Sequence, residues 1–138
     1  MQKVRISLTE ITKYCDEEWL NEDYFHAMEE VAKSVFDRMR KMTGIQQDGA
    51  TLVTICFSNG QTIVPVLALN KLETESEQSE QKGFMKFCIG FYGLYRNPKA
   101  HNARVNESVR FEQFSEALVV ASIIHERFDR AFLTRVNQ

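Results

Sequence analysis

The sequence predicts an all-α fold: an up-down bundle of about four principal helices, forming one domain over residues 1–138. Three observations lead there. Phe25, Met28, Ala32, Val35, Phe36, Met39 and Met42 recur at the spacing of one helix face, the pattern of a helix with one side in a core. Phe111, Phe114, Leu118, Ala121, Ile124, Phe128 and Phe132 repeat that pattern near the C-terminus. Between them, Thr74-Glu75-Ser76-Glu77 forms a capping box ahead of a third apolar stripe, Phe84, Phe87, Cys88, Phe91, Leu94 and Tyr95.

Taken in order, Ser7-Leu8-Thr9-Glu10 is a capping box that opens a short helix carrying Leu8, Ile11, Cys15 and Trp19, ending near Leu20. Asn21-Glu22-Asp23 starts the next helix, about 22–43, with a cap residue and acids in its first turn. Gly44 stops it, after Arg38, Arg40 and Lys41 have set positive charge near its C-terminus. Residues 48–70 admit two readings. Thr51–Phe57, Asn59-Gly60 and Thr62–Leu67 could form a hairpin. Alternatively, Asp48 caps a short helix whose Leu52, Val53, Cys56 and Phe57 share a face. An isolated two-stranded hairpin is marginal, so a short helix and an irregular connector through Pro65 are expected.

The helix opened at Thr74 is polar for two turns and then apolar, and Pro98 ends or kinks it. Gly83, Gly90 and Gly93 lie within it, each costing about 1 kcal/mol relative to Ala. Close approach of another backbone would justify them, so this helix is expected at the bundle centre or at a dimer contact. A polar loop over 102–109 leads to the last helix, about 110–131.

Composition bounds the function. A length of 138 residues suits one core, and 43% apolar residues are enough to fill it. The formal net charge of −2 is unlike that of proteins that coat nucleic acid nonspecifically, so any RNA contact should be local. No apolar run approaches the roughly 18–20 residues of a membrane span, and residues 1–20 mix Lys, Arg, Asp and Glu without a signal-peptide core. A cytoplasmic protein with no membrane partner is expected. Cys15, Cys56 and Cys88 are odd in number and far apart, which argues for reduced core thiols over a disulfide framework or a metal knuckle. The three histidines are too scattered for a zinc site. No metal or cofactor is expected.

The segment that carries chemistry is Arg96-Asn97-Pro98-Lys99-Ala100-His101. On an unbroken helix, residues five apart diverge by about 140°. A break at Pro98 lets the chain re-aim His101 toward Arg96, with Asn97 as N-cap of a new turn. These groups suit RNA cleavage without a metal. An imidazole, with an ordinary pKa near 6.5, serves as general acid or base toward the ribose 2′-hydroxyl or the leaving oxygen. A guanidinium is the natural clamp for phosphate charge. Asn97 would orient or donate, and Lys99 and Arg104 would hold the flanking backbone. The plainer reading is an arginine capping helix carbonyls and a histidine in a polar loop; by spacing alone, Arg-x4-His arises often by chance.

Other polar residues carry a structural expectation. His26 and His125 fall on helices and are expected to be satisfied by neighbours, with a place lining the cleft as the alternative. Glu77, Glu80 and Gln81 lie on the polar first turns of the helix that ends at Arg96. A solvated helix start is expected for them. They would reach the Arg96 cleft only across a dimer with antiparallel helices. The phenylalanine stripes are expected in the core.

Arg96-Asn97-x-x-x-His101 resembles the Arg-x4–6-His signature of HEPN domains. Further segments resemble the Ymh-type family of phage- and defence-associated bacterial proteins. They include Tyr24-Phe25-His26-Ala27, Val35-Phe36-Asp37-Arg38-Met39-Arg40, Thr74-Glu75-Ser76-Glu77, Gly90-Phe91-Tyr92-Gly93 and Ile124-His125-Glu126-Arg127-Phe128-Asp129. The resemblance implies a HEPN-like bundle that dimerises and brings two Arg/His motifs to one cleft. It also implies a metal-independent endoribonuclease of toxin or abortive-infection type, with RNA as substrate and an antitoxin or defence-system protein as partner. The competing implication is a catalytically inactive HEPN-like dimer that binds RNA, a nucleotide or a protein. Ala103 stands where one HEPN group carries a modifiable Tyr, which argues against that mode of control.

Overall fold

The computed structural model of the chain describes residues 23–96 and 109–134. Within them lie helices α1 (Tyr24–Thr43), α2 (Gly49–Phe57), α3 (Glu75–Phe91) and α4 (Phe111–Arg130), and a π-helical turn, Tyr92–Arg96, prolongs α3. Two short strands, β1 (Leu67–Ala68) and β2 (Phe132–Leu133), pair antiparallel. The fold is an all-α bundle. The helix expected before residue 21 lies outside the described residues, and so does most of the polar loop after Arg96.

Local chemistry sets the ends of α1. The Asp23 carboxylate accepts from the His26 backbone N–H and lies 2.5 Å from its ring Nδ1. The side-chain hydrogen bond from His26 holds the Asp23 carboxyl below its ordinary range. At the other end Gly44 adopts φ 76°, a left-handed cap, and donates to the Arg40 carbonyl at 2.7 Å. The sequence placed both ends within two residues.

Side-chain contacts fix the bundle's directions. Tyr24 packs on Phe111 and Phe114, and Arg38 reaches Asp129 further along, so α1 and α4 run parallel. Phe84 meets Phe128, and Phe91 meets Phe36, so α3 runs against both. Phe57, Phe84 and Phe128 form an aromatic trio with ring centroids 5.1–6.2 Å apart, within the range of favourable ring pairs.

Gly49–Phe57 is helical, as the capping aspartate suggests: the Asp48 carboxylate accepts from the Gly49 backbone N–H at 2.8 Å. The connector that follows is irregular through the buried Pro65. The strand in it pairs with the chain's far end rather than with a hairpin mate; Thr134 N–H donates to the Val66 carbonyl at 2.9 Å just beyond the pairing. A two-residue strand is too short to leave a period-two signature.

Two expectations need correction, and for the glycines a close approach within the chain is set aside while a dimer contact stays open. Phe87, Phe111 and Phe132 are 42–48% exposed and lie outside the core that their stripes were expected to fill. A Cβ at Gly83, Gly90 or Gly93 would meet nothing within 4 Å, so no neighbouring backbone approaches them within the described chain. Gln81 is fully buried, not part of a solvated helix start. Its Oε1 accepts from Leu69 N–H at 3.0 Å, and its Nε2 donates to the carbonyls of Phe57 and Leu67. One side chain thus ties the connector to α2 and α3. A polar residue in a polar stretch gives no sign of burial, because what buries it is a loop folding over it.

Cys56 and Cys88 are buried free thiols, as expected for two of the three cysteines; Cys15 lies outside the described residues. Burial pushes the Cys56 thiol up to about 12 and raises Cys88 as well. A raised acid pKa means that the folded chain keeps protons that the unfolded chain releases. Stability is therefore full below the ordinary thiol range near 8.5 and declines as pH rises above it. The urea midpoint should fall between pH 8 and pH 10, and fall less in Cys56→Ala/Cys88→Ala. Gln81→Ala should cost about 2–4 kcal/mol by urea denaturation at pH 7, from buried partners left without bonds.

Candidate functional site

Arg96 is the last residue of the π-helical turn, and packing at the end of α3 sets its position. The Tyr92 ring lies on Gly49, where an added Cβ would come 2.8 Å from its Cζ. The same ring meets Phe36 edge-on at 5.4 Å. Phe91, buried against Phe36, also packs on Tyr95 at 5.2 Å. Two aromatic residues on the last turns are therefore held by the core, and the backbone between them accommodates an extra residue as a π turn. Such turns close i→i+5 bonds and bring residues five apart toward one side. Arg96 closes this turn and is half-buried. Burial raises the Tyr95 phenol, with a further contribution from Glu116 of α4.

Of the residues expected to carry chemistry, Arg96 lies within the described residues. Asn97, Lys99, His101 and Arg104, together with Pro98, lie outside them. The sequence anticipated a break at Pro98; α-helical hydrogen bonding already gives way at Tyr92, ahead of the proline.

A second polar constellation lies inside the bundle. His125 is 1% exposed, and its Nδ1 faces the Arg38 guanidinium at 3.1 Å while its Nε2 faces Ser34 Oγ at 3.0 Å. Arg38 also donates to the His125 carbonyl and to the Asp129 carboxylate, the latter at 2.6 Å, and its guanidinium lies 5.6 Å from the Phe128 ring centroid. A guanidinium only donates, so Nδ1 must accept and the imidazole proton sits on Nε2. From there it is donated to Ser34 Oγ, whose own hydrogen goes to the Val31 carbonyl at 2.6 Å. Serine and histidine together suggest a nucleophile, but here the direction is reversed: an activating histidine must accept from the serine. The network clamps α1 to α4. This is the satisfied helix-face histidine that the sequence favoured for His125.

His26 is exposed and paired with Asp23. Glu77 closes the capping box with the backbone of Thr74, and those hydrogen bonds hold its carboxyl low. Glu80 accepts from Asn70 Nδ2 at 2.9 Å. Within the chain these acids do helix-start duty. Among the described residues, no group of three or more His, Cys, Asp or Glu is placed to hold a metal ion, and no helix is long and apolar enough to cross a membrane.

The model of one protein family, described as "Protein of unknown function (Hypoth_ymh)", matches residues 8–128. The chain belongs to the Hypoth_Ymh family. A search of the curated proteins and a search of the solved structures each return no match. In this Hypoth_Ymh chain, the segments 35–40 and 124–129, which carried part of the resemblance, meet in space through Arg38, His125 and Asp129. The constellation escaped sequence reading because its members lie about 90 residues apart and only the parallel packing of α1 and α4 joins them. Arg38→Ala should lower stability by about 2–3 kcal/mol, the scale for stripping a charged donor from buried acceptors. Long-range 15N–1H spectra should show His125 as the Nε2–H tautomer; an Nδ1–H pattern would contradict the assignment.

Proposed function

We propose that this chain is a HEPN-type, metal-independent endoribonuclease of toxin or abortive-infection type, acting as a homodimer in the cytoplasm under control of an antitoxin or defence-system protein. The observation that carries the reading is the presentation of Arg96. It ends a helix locked by two core-held aromatics, is half-buried, and passes directly into Asn97-Pro98. A guanidinium carried on a helix end that the core already holds spares a phosphate ligand the cost of ordering that backbone, which favours its use toward charge developing in a transition state. The resemblance of Arg96-Asn97-x-x-x-His101 to the HEPN signature supplies the second group.

In the proposed reaction a base removes the proton of the ribose 2′-hydroxyl, and O2′ bonds to the adjacent phosphorus. The bond from phosphorus to O5′ breaks, and an acid protonates the departing oxygen. The products are a 2′,3′-cyclic phosphate and a 5′-hydroxyl, with no metal or cofactor consumed. His101 acts as acid or base, Arg96 clamps the non-bridging oxygens through its planar fork, and Asn97 orients. Lys99 and Arg104 hold the neighbouring phosphates.

The test is incubation of the purified protein with total RNA in EDTA. His101→Ala should slow cleavage by about 10²–10⁴-fold, the scale of a lost general acid–base group. Arg96→Ala should slow it by about 10²–10³-fold, the scale of a lost transition-state donor. Both variants should keep the wild-type circular dichroism. Lys99→Ala and Arg104→Ala should weaken binding and flatten its salt dependence. Wild-type protein that cleaves no RNA and is harmless on expression would instead indicate a non-catalytic HEPN-like binding module. Cleavage abolished by EDTA would refute the mechanism.

A further inference from the structure

Where α2 gives way to the connector, the chain turns sharply: Gly60 N–H donates to the Ile63 carbonyl at 3.0 Å. Between this turn, the connector at Leu72 and one face of α3 (Gln78, Lys82, Met85) lies an open cavity of about 600 Å³, within the size range of pockets that hold small molecules. Ser58 and Met85 meet beside it, the hydroxyl donating to the sulfur at 3.6 Å. Lys82 lies well before Arg96 on the same helix, roughly 20 Å away at about 1.5 Å per residue, so the cavity is separate from the proposed cleavage site. We propose that it binds a small hydroxylated organic anion of the sugar-phosphate class.

The walls specify that class. Lys82 is the one charged side chain among the described residues that line the cavity. Its neighbours at helical spacing are Gln78, Ser79, Met85 and Lys86. So α3 offers it no carboxylate and sets a second ammonium one turn on, an unfavourable pair until an anion joins it. Among the described residues the side chains of Lys82, Asn59 and Gln61 make no hydrogen bond or ion pair, whereas the nearby amides of Asn70, Gln78 and Gln81 are all engaged. A phosphate supplies the charge that a free ammonium takes. The end of α2 asks for something more. It stops at this cavity with Phe57 and Ser58, and a helix C-terminus presents carbonyls that need donors. An anion alone has none to give; sugar hydroxyls do. The primary amides of Asn59 and Gln61 each carry a donor beside an acceptor, the complement of adjacent hydroxyls. A nucleobase fits less well, because Phe57 is fully buried and no other ring lines the cavity for it to stack on. No carboxylate lines it either, so a hard cation would lack its usual ligands.

The rim of the cavity is set before any ligand arrives. Leu72 adopts φ 58°, in the left-handed region, and is the only non-glycine residue to do so among the described residues. Asn70 Oδ1 accepts from its N–H at 2.8 Å, and Gln78 Nε2 donates to its carbonyl at 3.1 Å. Two side chains thus enforce a conformation that leucine avoids, and strain of this kind gathers at ligand-holding positions. With Met85, Leu72 gives the cavity an apolar side for the C–H face of a sugar. The inference stands on this cavity and not on the reading of the Arg96 segment.

Titration of the 15N-labelled full chain with ribose 5-phosphate, glucose 6-phosphate and glycerol 3-phosphate tests it, beside ribose and inorganic phosphate. With at least one of the three phosphate esters, the side-chain amides of Asn59 and Gln61 and the backbone amides of Gly60 and Leu72 should shift saturably. Ribose and inorganic phosphate should each bind more weakly than that ester. Lys82→Ala should weaken the ester by about tenfold, the scale of one charge-assisted hydrogen bond, and leave the weak binding of ribose unchanged. Asn59→Ala/Gln61→Ala should weaken both. All three positions are exposed, so each variant should keep the wild-type circular dichroism. No saturable shift at these amides with any of the three esters overturns the inference. So does inorganic phosphate that binds as tightly as the best ester, or a Lys82→Ala variant that weakens ribose and the ester equally. A short 2′-O-methyl oligoribonucleotide, which cannot be cleaved through O2′, offers sugar and phosphate from a strand instead. If it moves these amides at lower concentration than every ester, the cavity is an RNA subsite and the small-molecule assignment falls. Loss of the esters' binding in a chain that cleaves RNA leaves the cleavage reading intact; a Lys82-dependent site in a chain that never cleaves leaves this one intact.

Discussion

The ring of Tyr92 occupies the space that a side chain on Gly49 would need. Gly49 adopts φ 57°, where a Cβ is already strained, and its would-be Cβ lies 2.8 Å from the Tyr92 Cζ. The start of α2 and the end of α3 are therefore fixed against each other by a glycine and an aromatic ring. Phe36 of α1 closes on the other side of that ring. What leaves this junction is the π turn and then Arg96. The proposed chemistry depends on it because a guanidinium on a fraying helix end would have to be ordered anew by each substrate, at an entropic cost borne by every binding event.

Burial of polar groups follows one rule: among the described residues, no buried side-chain nitrogen or oxygen lacks a hydrogen-bond partner. Gln81 gathers one backbone donor and two carbonyls from the connector, converting an irregular segment into part of the core wall. His125 accepts from Arg38 and donates to Ser34, and the imidazole joins two helices. The contrast with His101 is chemical. A catalytic imidazole must exchange a proton with a substrate, so it cannot have both nitrogens committed inside a bundle. The histidine sealed in the core is thereby assigned to structure, His26 is engaged with Asp23 at a helix start, and the proposed chemistry falls to the histidine in the Arg96 segment.

Features governed by residues near one another in the chain were legible in the sequence. Asp23, Asp48 and the Thr74–Glu77 box mark helix starts, and Gly44 marks a stop, because caps satisfy backbone groups within three or four residues. The helical reading of 49–57 was open until the weakness of a lone hairpin was weighed against it. What stayed illegible depends on distant partners. The pairing of Leu67–Ala68 with Phe132–Leu133, the burial of Gln81 and the meeting of Arg38 with His125 and Asp129 all join segments far apart in sequence. Exposure of Phe87 and Phe111 was missed for the opposite reason: periodicity finds an apolar face but not what covers it. At the candidate site, Arg96 and its place at a helix end were readable, whereas the π turn was not, since it arises from core-held aromatics on either side of Gly93.

The central claim is that O2′ of the substrate, and not a metal-bound water, attacks the phosphorus. End-group analysis of the cleaved RNA tests this most directly, run beside an oligonucleotide carrying a single 2′-deoxy sugar at the cleaved linkage. A 2′,3′-cyclic phosphate or its 3′-phosphate hydrolysis product, a 5′-hydroxyl, and no cleavage of the deoxy substrate are expected. A 3′-hydroxyl with a 5′-phosphate, or undiminished cutting at the deoxy linkage, would contradict the account.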